Sequence, residues 1–138
     1  MYGIIYPYMR ASPKVVLVLE DEKPLLEAVR LSLTKNGFKV ITARTVEEAK
    51  EQLCTTTHVD AIWLDHYLLG RENGLDFVAW CREDGNNKCK LVPIFVVSNT
   101  ATPEKVASYM SLGAEKYFVK SNHKMGDIIE EIKKSIAA

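Results

Sequence analysis

A chain of 138 residues is long enough to build one hydrophobic core and too short for two. Its 47% hydrophobic and 26% charged residues are ordinary for a globular protein, and 18 basic against 18 acidic residues leave no net charge. That balance gives no electrostatic case for a nucleic-acid or membrane-surface partner, and the strand-sized apolar runs give none for a membrane span.

Residues 1–13 are rich in tyrosine, carry Pro7 and Pro13, and lack both a helix or strand period and the features of a signal peptide. They read as an extension outside the fold, with the domain proper at 14–138. Lys14–Glu20 (KVVLVLE) is a nearly continuous apolar run, as expected of a strand covered on both faces. A helix follows, with Pro24 in its first turn, Leu26, Val29 and Leu33 on one stripe, and Asn36-Gly37 closing it. Phe38–Ala43 is a second strand. Thr45 with Glu48 gives a capping-box signature for a second helix, on which Val46, Ala49 and Leu53 face the core.

Asp60–Asp65 (DAIWLD) forms the third strand, and a helix from about Gly74 to Glu83 follows a loop. Leu91–Ser98 (LVPIFVVS) is the fourth strand, with Pro93 near its start, where a missing donor matters least. Thr102-Pro103 caps a fourth helix ending at Gly113, Lys116–Lys120 is a short fifth strand, and Lys124–Ile136 is the last helix. Trp63 and Trp80 read as core residues and His66 as an exposed loop histidine. Cys54, Cys81 and Cys89, with no CxxC pair, read as free thiols in a reducing compartment. Strict strand–helix alternation predicts a parallel sheet with helices on both faces, doubly wound in the flavodoxin-like order 2-1-3-4-5.

In such sheets ligands bind beyond the carboxyl ends of the strands, near the switch in strand order. Strand one ends in Glu20-Asp21-Glu22, strand three in Asp65, strand four in Ser98 and strand five in Lys120. Strand two, the edge strand, ends in Ala43 and Arg44 without a carboxylate. Crowded carboxylates repel one another unless a cation neutralises them. Magnesium suits such a set, since it takes one or two carboxylates together with waters and a phosphate oxygen. A lysine adds a point charge and a serine a hydrogen-bond donor. Singly, each has an ordinary reading, such as a helix-capping acid or a solvated lysine. Together they describe a site that accepts a phosphoryl group on a carboxylate.

VLVLEDE, AIWLDHYL, VPIFVVSNTA and GAEKYFVK, in that order, resemble the four signature segments of bacterial response-regulator receiver domains. The likeness runs from Lys14 to about Ile136. It implies that Asp65 is the phosphoacceptor, serving a histidine kinase or phosphotransfer protein. Asp21, assisted by Glu20, would hold Mg2+ together with Asp65 and the backbone carbonyl of Tyr67. Lys120 would contact the phosphoryl group, Ser98 would move toward it, and Tyr117 would be the aromatic switch residue. The resemblance further implies a cytoplasmic signalling protein that catalyses only its own phosphorylation and dephosphorylation. No output domain follows Ala138 in this sequence, so either the output is another protein or the chain is part of a longer regulator. The output surface is expected on the fourth helix, fifth strand and fifth helix, through a partner or a second copy.

Three features depart from the family pattern. Asn99 follows the hydroxyl position, where a small residue is usual, and Ser121 replaces the proline after the lysine. The loop from Asp65 to Gly74 is one residue longer than in many members. Without proline, the Lys120–Ser121 peptide is expected to be trans. Tyr67 and Thr100, with Asn99 beside them, flank the approach of water to the acceptor and are expected to tune phosphate lifetime. Asn99 and Ser121 also suit an alternative, a degenerate receiver that works as a phosphorylation-independent interaction module. A flavodoxin-type redox protein is disfavoured, because the acidic loop Glu20-Asp21-Glu22-Lys23-Pro24 would repel a flavin phosphate.

Overall fold

Side chains alternate between the two faces of a strand, so a run such as Val15–Leu19, apolar at every position, must be covered on both sides. The computed structural model, which describes residues 12–56, 58–84, 86 and 88–137, shows that cover. Strands β1 (Val15–Leu19), β2 (Lys39–Ala43), β3 (Ala61–Leu64), β4 (Ile94–Ser98) and β5 (Lys116–Val119) alternate with five helices. The helices are α1 (Lys23–Lys35), α2 (Val46–Thr55), α3 (Gly74–Cys81), α4 (Pro103–Ser111) and α5 (Met125–Ile136). Every pairing is parallel and the order is β2-β1-β3-β4-β5, the doubly wound arrangement expected from the alternation. Residues 1–11 of the expected extension lie outside the described residues, and Ser12 and Pro13 are exposed.

The sheet divides the core in two. Leu17, Leu19, Ile62, Leu64, Ile94 and Val96 face one side, with Val46, Leu53, Phe77 and Tyr109 from α2, α3 and α4. Val16, Val18, Trp63, Phe95 and Val97 face the other, with Val29 and Leu33 of α1 and Ile128, Ile129 and Ile132 of α5. The expected stripe of α1 is buried at Val29 and Leu33 with Leu26 at the margin, and on α5 Ile136 lies at the margin of the buried isoleucines.

Helix ends follow from local chemistry. α1 closes on Gly37 at φ +89°, where the amides of Gly37 and Phe38 return to the carbonyls of Thr34 and Leu33. This is the Schellman pattern that glycine makes cheap. α2 begins at Thr45, whose hydroxyl accepts from the amide of Glu48, but the Glu48 carboxylate reaches past Thr45 to the amide of Arg44. The complete capping box belongs to α3, where Asn73 and Asp76 exchange side-chain-to-backbone bonds of 3.1 and 2.8 Å.

Most elements are shorter by a residue or two than expected, and the largest differences flank the segment between α3 and β4. α3 ends at Cys81, and β4 begins only at Ile94, leaving Leu91 exposed. The intervening loop is fixed by Arg82, whose guanidinium donates to the carbonyls of Cys89, Lys90, Val92, Leu112 and Gly113. Cys81 and Cys89 are buried in mutual contact beneath it, whereas Cys54 is exposed. The Lys120–Ser121 peptide is trans, as are all described peptide bonds.

Candidate functional site

The parallel ladder sets the site by carrying the chain one residue past each strand. The amide of Glu20 bonds to the carbonyl of Ala43, and that of Asp65 to Leu19. Glu20 and Asp65 therefore emerge side by side from β1 and β3. One oxygen from each of Glu20, Asp21 and Asp65 can be chosen so that all three lie within 4.8 Å of one another. Glu20 is 1% and Asp65 4% exposed, and Ser98 at the end of β4 is fully buried. Lys120, just past β5, donates to Glu20 Oε1 at 2.8 Å and lies 3.6 Å from Asp65 Oδ2.

Burial and charge decide how these carboxyls titrate. Burial pushes Glu20 up to about 7; its bond from Lys120 opposes the shift and the Asp65 charge adds to it. Asp65 is also raised by burial, against the pull of Lys120. One ammonium facing three carboxylates leaves an uncompensated negative site. Asp65 Oδ1 and the Ser98 hydroxyl are buried without a hydrogen-bond partner among the described residues. An oxygen-only set with excess negative charge and an orphaned carboxylate oxygen fits a hard divalent cation. The acidic group formed by Glu20, Asp21 and Asp65 is therefore the candidate cation site.

The remaining expected residues lie in the loops after β3 and β4 and on β5. Asn99 and Thr100 are exposed in the loop after β4. Tyr117 is half-buried, and its hydroxyl donates to the carbonyl of Thr100 at 2.5 Å. The Tyr67 side chain is 55% exposed and lies against Lys105. Lys105 belongs to no motif, yet its ammonium is 2.9 Å from Thr100 Oγ1 and 3.3 Å from the Tyr67 hydroxyl, bridging the two. Strand two brings no carboxylate, but the guanidinium of Arg44 at its end donates twice to the backbone carbonyl of Asp21, at 2.9 and 2.7 Å. It thereby fixes the turn that presents that carboxylate.

His66 corrects the expectation of an exposed loop residue. It is 8% exposed, and its Nδ1 lies 2.6 Å from the hydroxyl of Tyr109 on α4. Burial, with the Lys105 charge adding, lowers its pKa and keeps the ring neutral. Close packing leaves no room beside this pair: a Cβ on Gly74 would stand 2.2 Å from the Tyr109 hydroxyl.

The fold and the acidic end of its sheet are those of a signalling receiver, and the chain belongs to the response regulator receiver domain family, whose profile matches residues 16–133. Among curated proteins it is similar to the phosphate regulon transcriptional regulatory protein PhoB of Klebsiella pneumoniae. That match is 30% identical over 105 residues, 76% of this chain and 44% of that protein. The response regulator MprA of Mycolicibacterium vanbaalenii is 31% identical over 109 residues, 78% of this chain and 44% of that protein. The chain thus spans less than half the length of these relatives. Among solved structures, a receiver domain from Methanospirillum hungatei JF-1 matches with a TM-score of 0.80 at 20% identity, over 91% of this chain and 95% of that one. Vibrio cholerae chemotaxis protein CheY4 matches with a TM-score of 0.78 at 23% identity, over 88% and 98%. These two likenesses concern the fold.

Proposed function

We propose that the protein is a phosphorylation switch in which Asp65 takes a phosphoryl group from a phosphohistidine of a histidine kinase or phosphotransfer protein. The observation that carries this reading is the buried Asp65 carboxylate, grouped with oxygens of Glu20 and Asp21 and faced by Lys120. An Asp65 oxygen forms the new bond to phosphorus as the phosphorus–nitrogen bond of the donor breaks. The product is an acyl phosphate, and the released imidazole takes up a proton.

Asp21, Asp65 and Glu20, with the backbone carbonyl of Tyr67, would hold Mg2+, which supplies charge neutralisation at the phosphoryl oxygens. Lys120 turns from Glu20 toward a phosphoryl oxygen. The Ser98 hydroxyl donates to another, and Tyr117 responds to its movement. Tyr67, Asn99 and Thr100 govern the approach of water and hence the lifetime of the phosphorylated form.

Residues 14–138 make up the receiver domain, working in the cytoplasm and catalysing only its own phosphorylation and dephosphorylation. Its output is protein contact through α4, β5 and α5, by docking a partner or pairing with a second copy. Zero net charge supports that reading over direct nucleic-acid contact. Incubation with acetyl phosphate and Mg2+ should add one acid-labile phosphoryl group by intact mass, and none to Asp65→Asn. Equal labelling of that variant would overturn the assignment.

A further inference from the structure

We propose that His66 and Tyr109 are positioning residues that tie the acceptor segment to α4, so that occupation of Asp65 is felt by α4 through their hydrogen bond. This rests on the reading of Asp65 as the acceptor. It adds a connection to α4 separate from that of Ser98 and Tyr117.

Three elements meet at one point. His66 follows Asp65 directly and is buried, with Nδ1 2.6 Å from the Tyr109 hydroxyl. The carbonyl of His66 accepts from the amide of Gly74, the first residue of α3, at 3.0 Å. A Cβ on Gly74 would lie 2.2 Å from the Tyr109 hydroxyl, 3.0 Å from the Asp65 carbonyl oxygen and 3.1 Å from His66 Cα. The acceptor backbone, the start of α3 and the tyrosine of α4 are therefore packed without slack. Close-packed contacts of this kind transmit small shifts rather than absorbing them.

The bond is also costly to break. The Tyr109 ring is fully buried and His66 nearly so, and neither bonded atom has another hydrogen-bond partner among the described residues. Separating them leaves two polar atoms away from water, which costs more than the bond contributes when made. A displacement of the Asp65–His66 backbone therefore moves α4 with it, or pays that penalty. The Tyr109 ring further packs at a tilt against that of Tyr117, with centroids 5.8 Å apart, so the motion converges on the same face as β5. On α4 itself, Met110 is exposed and available to a partner.

The test compares wild type, Tyr109→Phe, His66→Leu and His66→Asn, each loaded with Mg2+ and beryllium trifluoride, a phosphoryl analogue that adds to carboxylates. Phe keeps the ring and removes only the hydroxyl. Leu removes the polar partner of the Tyr109 hydroxyl, while the Asn amide, which can accept or donate, can restore one. Loading is read by fluorine NMR, and the response by amide exchange across 103–111. Wild type and His66→Asn should load and change exchange in α4. Tyr109→Phe and His66→Leu should load yet lose most of the α4 change, roughly two- to tenfold in exchange rate, the worth of one neutral hydrogen bond. An undiminished α4 response in both of those variants overturns the inference while leaving Asp65 as acceptor. Failure of wild type to load overturns the acceptor reading and this inference with it. His66→Leu decides the matter if Tyr109→Phe does not fold.

Discussion

Tyr67 stands two residues past Asp65, with the ammonium of Lys105 4.7 Å from its ring centroid and 2.9 Å from Thr100 Oγ1. The two residues expected to tune phosphate lifetime are thus fastened to each other across one edge of the site. Hydrolysis of an acyl phosphate needs water in line with the bond to phosphorus, so a ring held at that edge is expected to slow it. Tyr67→Asn and Lys105→Ala should each lose phosphate several-fold faster than wild type, followed by intact mass after removal of the donor. Unchanged or slower loss in both would show that the ring stands clear of the water's path.

Glu20 makes a second prediction at this scale. Its folded pKa of about 7 lies above the ordinary value of 4.5, with Asp65 shifted in the same direction. A carboxyl raised in this way contributes stability below its unfolded pKa and loses it as pH rises through the folded one. In chelator, the protein should lose stability between pH 4.5 and about 7, by an amount on the order of 3 kcal/mol for Glu20. A divalent ion favours the charged carboxylates, so millimolar Mg2+ should flatten that fall. Thermal melts across this range, with and without Mg2+, measure both effects. A chelated protein whose melting temperature rises through the window would contradict the burial argument.

Among the elements, the segment between α3 and β4 is tied to the end of α4 by Arg82, while Asn86 braces it locally through the carbonyl of Trp80 and the amides of Lys88 and Cys89. Arg82 donates to five backbone carbonyls drawn from that loop and from the end of α4. Planar guanidinium geometry permits this fan, whereas the point charge of a lysine does not. Arg82→Lys should cost about 1–2 kcal/mol in chemical denaturation, because the part-buried carbonyls of Cys89, Val92 and Leu112 lose their partner. Phosphorylation at Asp65 should survive the change. The importance of Arg82 was not legible in the sequence, because its partners are carbonyls that every residue possesses. The strands and helices were legible, since apolar runs, helical stripes and punctuation by Gly37 and Gly113 are side-chain properties. Boundaries were less so: Pro93 marks the start of β4, yet Leu91 before it is apolar and exposed.

For the whole molecule, strand order brought the distant acids and the lysine together, with Ser98 buried at the end of the neighbouring strand, and the meeting of acids and lysine could be read from strand ends alone. The layer beneath them could not. His66, Tyr109 and Gly74 are far apart in the chain, and each looks ordinary until the helices are packed.

The same packing sorts the three thiols by accessibility, Cys54 outside and Cys81 with Cys89 sealed between α3 and the sheet. The protein therefore carries its own gauge of opening. One thiol should react with a maleimide at the rate of a free cysteine, and the other two only when the core admits solvent. Under conditions where closing outpaces alkylation, the ratio of slow to fast rates reports the opening equilibrium around α3. Prompt alkylation of all three in native buffer would mean that this half of the core breathes far more readily than its burial implies.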